Sequence, residues 1–265
     1  GWGSPEVNET RTFERHLSSH EIALQHSLDA GYSLYGRAGR SFRIANIDEI
    51  RCSTYSGCGL FLKPQTSDNR EIGLQWRGNR SNLRVSLFDM NVNNEIHYNP
   101  YTYSNVNLSP TKHRGLELDG KYLLGKTLEL GARYVHTEAH FREGWDSGYD
   151  LAGKNVPLVP KERFGINLNW RILETTRMAL HLNHVGRQRY DNDQANLFRT
   201  MPSYTTVDVK LTHEIRSWTL AVGVNNLLDK AYYSYGVTNV SASPSRYNVY
   251  PEDRRNGYVS AAYRF

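Results

Sequence analysis

The sequence predicts an all-β chain, an antiparallel transmembrane β-barrel of which about eleven strands are present. Three observations carry this. Apolar and polar residues alternate with period two in one segment after another. Short and long connections between those segments alternate strictly along the chain. The chain ends on Phe265 within such an alternation, GYVSAAYRF, with Phe265, Tyr263, Ala261 and Val259 on one face and Arg264, Ala262, Ser260 and Tyr258 on the other.

In order, the alternating segments lie near 17–26, 31–43, 70–78, 82–97, 111–122, 127–138, 162–171, 177–190, 204–214, 217–228 and 255–265. Ile72, Leu74 and Trp76 alternate with Glu71, Gly73, Gln75 and Arg77. Leu116 and Leu118 alternate with Glu117 and Asp119. Phe164, Ile166, Leu168 and Trp170 alternate with Gly165, Asn167 and Asn169. Val207, Val209 and Leu211, then Trp218, Leu220, Val222 and Val224, repeat the pattern. Each segment is a weak signal and their number is the strong one.

The short links are Ser27–Ala30, Asn79–Arg80, Leu123–Lys126, Ile172–Thr176 and Glu214–Arg216; the long ones are 44–69, 98–110, 139–161, 191–203 and 229–254. A soluble meander has no reason to gather its long loops at one end, whereas outer-membrane barrels carry short periplasmic turns and long extracellular loops. The last strand then runs inward and Phe265 sits at the periplasmic end. An odd count of strands leaves unpaired edges, which lipid does not tolerate. The chain therefore reads as the carboxyl-terminal half of a plugged barrel of about 22 strands, with 1–16 a remnant of an extracellular loop and 17–265 the barrel wall.

Composition agrees. Hydrophobic residues make up 38% of the 265 and mean hydropathy is −0.64, but only every second residue of a barrel strand meets lipid. No run of about 18 apolar residues marks a spanning helix. The 18 tyrosines and 5 tryptophans suit interfacial girdles. The net charge of +5 suits an anionic ligand or lipopolysaccharide phosphate; nucleic acid is not expected, since basic residues are scattered among carboxylates. Cys52 and Cys58 are spaced unlike a redox or zinc pair and read as a local loop disulfide. The first residues have neither a basic start nor an apolar core, so a signal peptide has been removed or the chain is a piece of something longer.

Several motifs suggest chemistry that the pattern does not support. GKYLLGKT at 120–127 fits the P-loop spacing, but strand alternation follows it where a helix is needed. HTEAH, His136 to His140, would present two imidazoles on one helical face; on a strand they stand roughly 13 Å apart. His181 and His184 point to opposite faces. No nucleophile elbow or paired acid is present, so no enzyme, catalytic residue, metal site or cofactor is expected. Arg37, Arg40, Arg43 and Arg51 climb toward the 44–69 loop, as lumen charges or as partners of an anionic ligand. Among these and the loop aromatics, the candidate ligand-binding residues are Arg43, Arg51, Tyr55, Trp145, Tyr149, Tyr235 and Tyr247. Phe141 is a further aromatic in the long loops.

The chain resembles the carboxyl-terminal half of TonB-dependent outer-membrane receptors. YGRAGRSFRIANIDEI followed by LFLKPQTSDNREIGLQW is similar to the family's strand–loop–strand, and NVNLSPTKHRGLELDGKY to a following strand. GKNVPLVPKERFGINLNW carries V-P-x-x-P, MPSYTTVDVKLTH carries P-x-Y-x-x-x-D, and GVNNLLDKAYY carries V-x-N-L-x-D-x-x-Y. The resemblance implies a Gram-negative outer-membrane location and uptake of a ferric siderophore or other metal chelate. It also implies lipid and lipopolysaccharide neighbours, coupling to TonB through a plug that this sequence lacks, and assembly machinery that reads the terminal Phe265. Cobalamin or haem receptors of the same family, and a passive porin or adhesin barrel, are the alternatives. The absence of histidine between Phe42 and Pro64 argues against haem.

Overall fold

In the computed structural model, residues 16–46, 49, 62–99, 104–239 and 246–265 are described. Each alternating segment forms a strand: β1 (His20–Ser27), β2 (Tyr32–Arg43), β3 (Gln65–Arg77), β4 (Ser81–Asn93), β7 (Thr111–Leu124), β8 (Leu128–Phe141), β11 (Glu162–Leu173), β12 (Thr176–Val185), β13 (Tyr204–Ile215), β14 (Trp218–Asn225) and β17 (Asn256–Tyr263). Among the described residues these make one 11-stranded sheet in the order β1-β2-β3-β4-β7-β8-β11-β12-β13-β14-β17. Every pairing in it is antiparallel. The sheet does not close: β1 and β17 each have one neighbour.

The register carries the alternation across the whole wall. Trp218 faces Tyr263, Leu220 faces Ala261 and Val222 faces Val259. The same side continues through Leu180–Val209, Leu168–Leu180 and Leu130–Leu168 to Leu74–Val85 and Leu34–Leu74. Many side chains on this side are exposed, Ile22, Leu24, Ile72, Leu87 and Val259 among them, so the sheet presents an apolar face that no other described element covers. In water this face would be a large unburied patch; against lipid it is the outer wall of a barrel. An aromatic girdle marks its short-turn end. Tyr32 and Trp76 are 6.2 Å apart, Trp218 and Tyr263 5.0 Å, and Tyr263 and Phe265 5.2 Å, with Trp170 and Tyr122 between.

The opposite face is polar and is the lumen side. Glu71, Arg84, Glu117, Arg133, Asn167, His181, Asp208 and Lys210 lie on it by register. Among the described residues, no helix is long and apolar enough to cross a membrane.

Connections of two to four residues alternate with long ones, as the sequence indicates. The long loops hold structure that periodicity did not announce: the hairpins β5 (Ile96–Asn99) with β6 (Ser104–Asn107), β9 (Trp145–Asp146) with β10 (Tyr149–Asp150), and β15 (Tyr233–Asn239) with β16 (Arg246–Pro251). The segment expected to run from 82 to 97 breaks at Asn94, whose φ of 55° turns the chain, and Leu108 N–H then bonds Glu95 C=O. The segment expected to reach 190 leaves the sheet after Val185. β3 starts at Gln65, inside the expected 44–69 loop, because Thr66 already pairs with Phe42 and Asn93. The P-loop-like motif is a hairpin: Leu124 faces Leu128 around Gly125, and β8 follows rather than a helix. His136 and His140 both lie on β8.

Candidate ligand-binding site

Two layers of polar groups line the lumen side, one midway down the wall and one at the long-loop end. The lower one belongs to the wall. Glu71, with a side chain only 9% exposed, accepts the Tyr35 hydroxyl at 2.6 Å. Its other partners are Arg37 Nη2 at 2.5 Å and Arg84 Nη2 at 2.8 Å. Arg84 also donates to the Tyr35 oxygen, so one carboxylate holds two guanidinium groups against the lumen wall. They line a cavity of about 670 Å³ with Glu21, Asn69, Phe88 and Glu117. A second cavity of about 530 Å³ lies along β8, β11 and β12 beneath Leu158–Pro160, lined by Arg133, Arg163, Asn167 and His181.

The upper layer is built by the loops. The stretch YDNDQAN, 190–196, is polar yet buried, with Tyr190 at 0% and Asp193 at 2% exposure. It is held from two sides. Ala195 joins Ala139, Phe141, Leu151 and Val156 in a small apolar core, and Asn155 and Asn196 exchange hydrogen bonds of 2.8 and 2.9 Å. On the other side, residue 191 runs as a short parallel bridge beside Val237. The Asp191 carboxylate accepts the Tyr235 hydroxyl at 2.5 Å and the Asn192 N–H at 2.9 Å. His97 on β5 donates from Nε2 to the Asn192 amide oxygen at 2.9 Å and stands 3.6 Å from Asp191. Three long loops thus meet at Asp191 and Asn192.

Tyrosines cluster beside this junction. Tyr190 bonds Tyr233 through their hydroxyls at 2.9 Å, its ring is 5.0 Å from that of Tyr247, and Arg199 lies 4.6 Å above Tyr247. Burial, then the Tyr233 bond, pushes the Tyr190 phenol up to about 12. Burial and the Asp191 carboxylate likewise raise Tyr235. Asp193 is raised by burial although it accepts Leu197 and Phe198 N–H groups; its Oδ2 stands 3.5 Å from Arg189 without hydrogen-bond geometry. Burial also raises Glu95.

The sequence-predicted residues fall in different places. Tyr235 and Tyr247 enter the junction. Arg43, at the end of β2, pairs instead with Glu49 at 2.8 Å, holding that carboxyl below its usual range. Trp145 and Tyr149 sit exposed on the β9–β10 tip, apart from the junction. Arg51, Tyr55, Cys52 and Cys58 lie outside the described residues. Arg37 faces the lumen, whereas Arg40 falls on the opposite side, paired with Asp68 at 3.5 Å. His97, Tyr190, Asp191, Asn192 and Arg199 were missed; a run of Asp and Asn beside a tyrosine was their only sequence signal. Among the described residues, no three His, Cys, Asp or Glu side chains are grouped to hold a metal.

The loop rim also explains two motifs. Asp208 of the P-x-Y-x-x-x-D segment accepts the backbone N–H of Asn226, from the V-x-N-L-x-D segment, at 2.8 Å. Asn226 then bonds Lys230 and Asp253, and Asp229 receives Arg254 in a two-pronged pair at 2.9 and 2.6 Å. These side chains fix where the last long loop leaves the wall.

The profile of the family described as TonB dependent receptor-like, beta-barrel matches residues 8–227. The chain belongs to that family. As a TonB-dependent receptor barrel it is a protein of the outer membrane. It is 24% identical over 238 residues to the iron-regulated outer membrane virulence protein of Vibrio cholerae, covering 79% of this chain and 36% of that protein. To the ferrioxamine receptor of Yersinia enterocolitica it is 24% identical over 225 residues, covering 81% and 30%. The crystal structure of the ferric yersiniabactin uptake receptor FyuA from Yersinia pestis superposes with a TM-score of 0.71 at 21% identity, over 91% of this chain and 36% of that one. The chain spans about a third of the length of the curated relatives it matches.

Proposed function

We propose that this TonB-dependent receptor barrel forms part of the wall and outer loops of a transporter that takes up a ferric siderophore or similar metal chelate. The observation that carries the reading is the junction of three long loops, lined by tyrosines and Arg199, above a lumen wall studded with charge. Such a surface supplies shape, aromatic contact and cations to an anionic or aromatic chelate, and asks no covalent chemistry of the chain. The names of the relatives, an iron-regulated protein and a ferrioxamine receptor, point to iron. In this reading residues 1–16 belong to an outer loop and the barrel reaches about 22 strands. A plug responsive to TonB supplies the gate, and Trp145, Tyr149, Tyr235 and Tyr247 make first contact. The test is uptake of radiolabelled ferric siderophores by cells whose only receptor is the intact protein. Energy-dependent accumulation that ceases when TonB is deleted supports the reading; passive, TonB-independent entry overturns it.

A further inference from the structure

The glycines of the lumen face are not alike. At Gly73 and Gly223 an added Cβ would stand 2.4 Å from a tyrosine ring, that of Tyr35 or Tyr258, which already fills the place. At Gly165 it would meet the Leu182 carbonyl oxygen at 3.6 Å, and no side chain among the described residues lies within 4 Å. Gly165 is therefore the bare floor of a hollow in the wall. Arg133 and Asn183 stand opposite it on β8 and β12, and Arg163 and Asn167 flank it on β11, all on the lumen side. With strands about 4.8 Å apart and same-face residues about 7 Å apart, this ring of residues measures roughly 10 Å by 14 Å. Leu158, Val159 and Pro160 roof it, leaving a cavity of about 530 Å³. The Leu158 N–H bonds the Arg189 C=O at 3.1 Å, which ties the roof to the residue before Tyr190.

We infer that this hollow is a binding subsite on the wall, separate from the tyrosine junction, for an anionic oxygen group, carboxylate or phenolate, borne on an apolar or planar arm of the chelate; the inference rests on the uptake reading above. The charge in the hollow is unbalanced. Among the described residues, no carboxylate lines it. Arg163 is exposed, with no carboxylate at ion-pair distance among the described residues. Arg133 reaches Glu117 only at 3.5 Å, and its side chain stays 61% exposed. The cavity around Glu71 differs, since Glu21, Glu71 and Glu117 line it beside Arg37 and Arg84 and answer those cations from within the wall. His181 is engaged beside the floor, its Nδ1 2.7 Å from the Asn167 amide oxygen. Two guanidinium forks are thus left to an incoming group, and their planar donor pairs match a carboxylate or two neighbouring phenolate oxygens. The roof asks for the opposite character, an apolar or planar body under Leu158, Val159 and Pro160. An uncharged chelate would crowd both guanidinium groups away from water without pairing them, so the hollow selects against it.

The test is equilibrium dialysis of the intact receptor in detergent against radiolabelled ferric tris-catecholate, ferric citrate and an uncharged ferric trihydroxamate. The subsite predicts that an anionic chelate binds roughly tenfold or more tightly than the uncharged one, as bonds to charged groups allow. Salt should narrow the difference and Arg133→Gln/Arg163→Gln should abolish it. Gly165→Leu fills the hollow without changing charge, and its Cβ has room; it should weaken the anionic chelate by a similar factor. Tighter binding of the uncharged chelate, or anionic binding unchanged in both variants, overturns the subsite and leaves the uptake reading standing. Binding of none of the three overturns both. If the double variant does not fold, Gly165→Leu and the comparison of chelates on the unaltered protein decide.

Discussion

The ring of Tyr35 on β2 lies across Gly73, the residue directly opposite it on β3, and its hydroxyl donates to Glu71 two residues away. A Cβ at position 73 would stand 2.4 Å from that ring. The same arrangement recurs where Tyr258 covers Gly223. Each glycine makes room for a lumen-side aromatic that replaces the packing the strand lacks. Because Glu71 and Arg84 pin the Tyr35 oxygen, the ring cannot swing away cheaply. Gly73→Val should cost about 1–3 kcal/mol through overpacking, read as a lower urea midpoint in vesicles. Tyr35→Ala in the same chain should recover part of the loss; strict additivity of the two changes would refute the contact.

The bond from Tyr235 to Asp191 predicts how the loops hold together. Tyr235→Phe removes a hydrogen bond to a charged group, worth about 2 kcal/mol, and leaves Asp191 with the Asn192 N–H and nearby His97. Hydrogen exchange should quicken in 186–203 and 233–239 while β11–β13 stay protected. Exchange unchanged in both loops would show that the apolar core around Phe141 orders them by itself.

The wall was legible in the sequence because period two is written once per strand and the membrane demands it on one whole face. Ile72–Trp76 and Phe164–Trp170 could be placed without a partner. The junction was not legible for the opposite reason. Asp191 is fixed by Tyr235, which is 44 residues away, and by His97, still farther, and neither contact leaves a local pattern. The β9–β10 hairpin could have been read from Ser147-Gly148, a two-residue turn with both φ positive. Arg40 could have been separated from Arg37 and Arg43 by counting odd from even.

The Asp229–Arg254 pair sets a pH window. The two guanidinium bonds, with the Arg255 N–H, hold the Asp229 carboxyl down to about 2, well below the ordinary aspartate range. A pKa depressed in the folded state stabilises above the unfolded value, and that contribution is lost as pH falls through the folded one. The clamp at the base of the last loop should therefore stay shut at pH 5 and weaken between about 4 and 2. Limited proteolysis of 229–255 across that range checks it, with Asp229→Asn cleaved alike at every pH. Susceptibility of the unaltered chain rising already near pH 6 would assign control to another group.

Loop contacts should matter to uptake without mattering to the wall. Arg43→Ala releases Glu49 at an exposed site, which costs under about 1 kcal/mol. Removing the 145–150 tip takes away Trp145 and Tyr149 but spares Phe141, Leu151 and Val156, which order the rest of that loop. Under the proposed function, both changes should slow uptake of the chelate severalfold with an unchanged heat-modifiable band on gels. Uptake kinetics equal to the unaltered receptor in both would remove these residues from the binding surface.

Phe265 adds little to the stability of the wall. Its ring is fully exposed and, among the described residues, meets the edge of Tyr263, while the ladder bond from Arg264 N–H to Ser217 C=O does not need it. Deleting it should change the unfolding free energy by no more than about 0.5 kcal/mol, as for a surface substitution away from packed groups. Refolding into vesicles should then proceed at the normal yield. A loss of yield, or an unfolding free energy lowered by more than about 1 kcal/mol, would instead make Phe265 a packed member of the girdle with Trp218 and Tyr263.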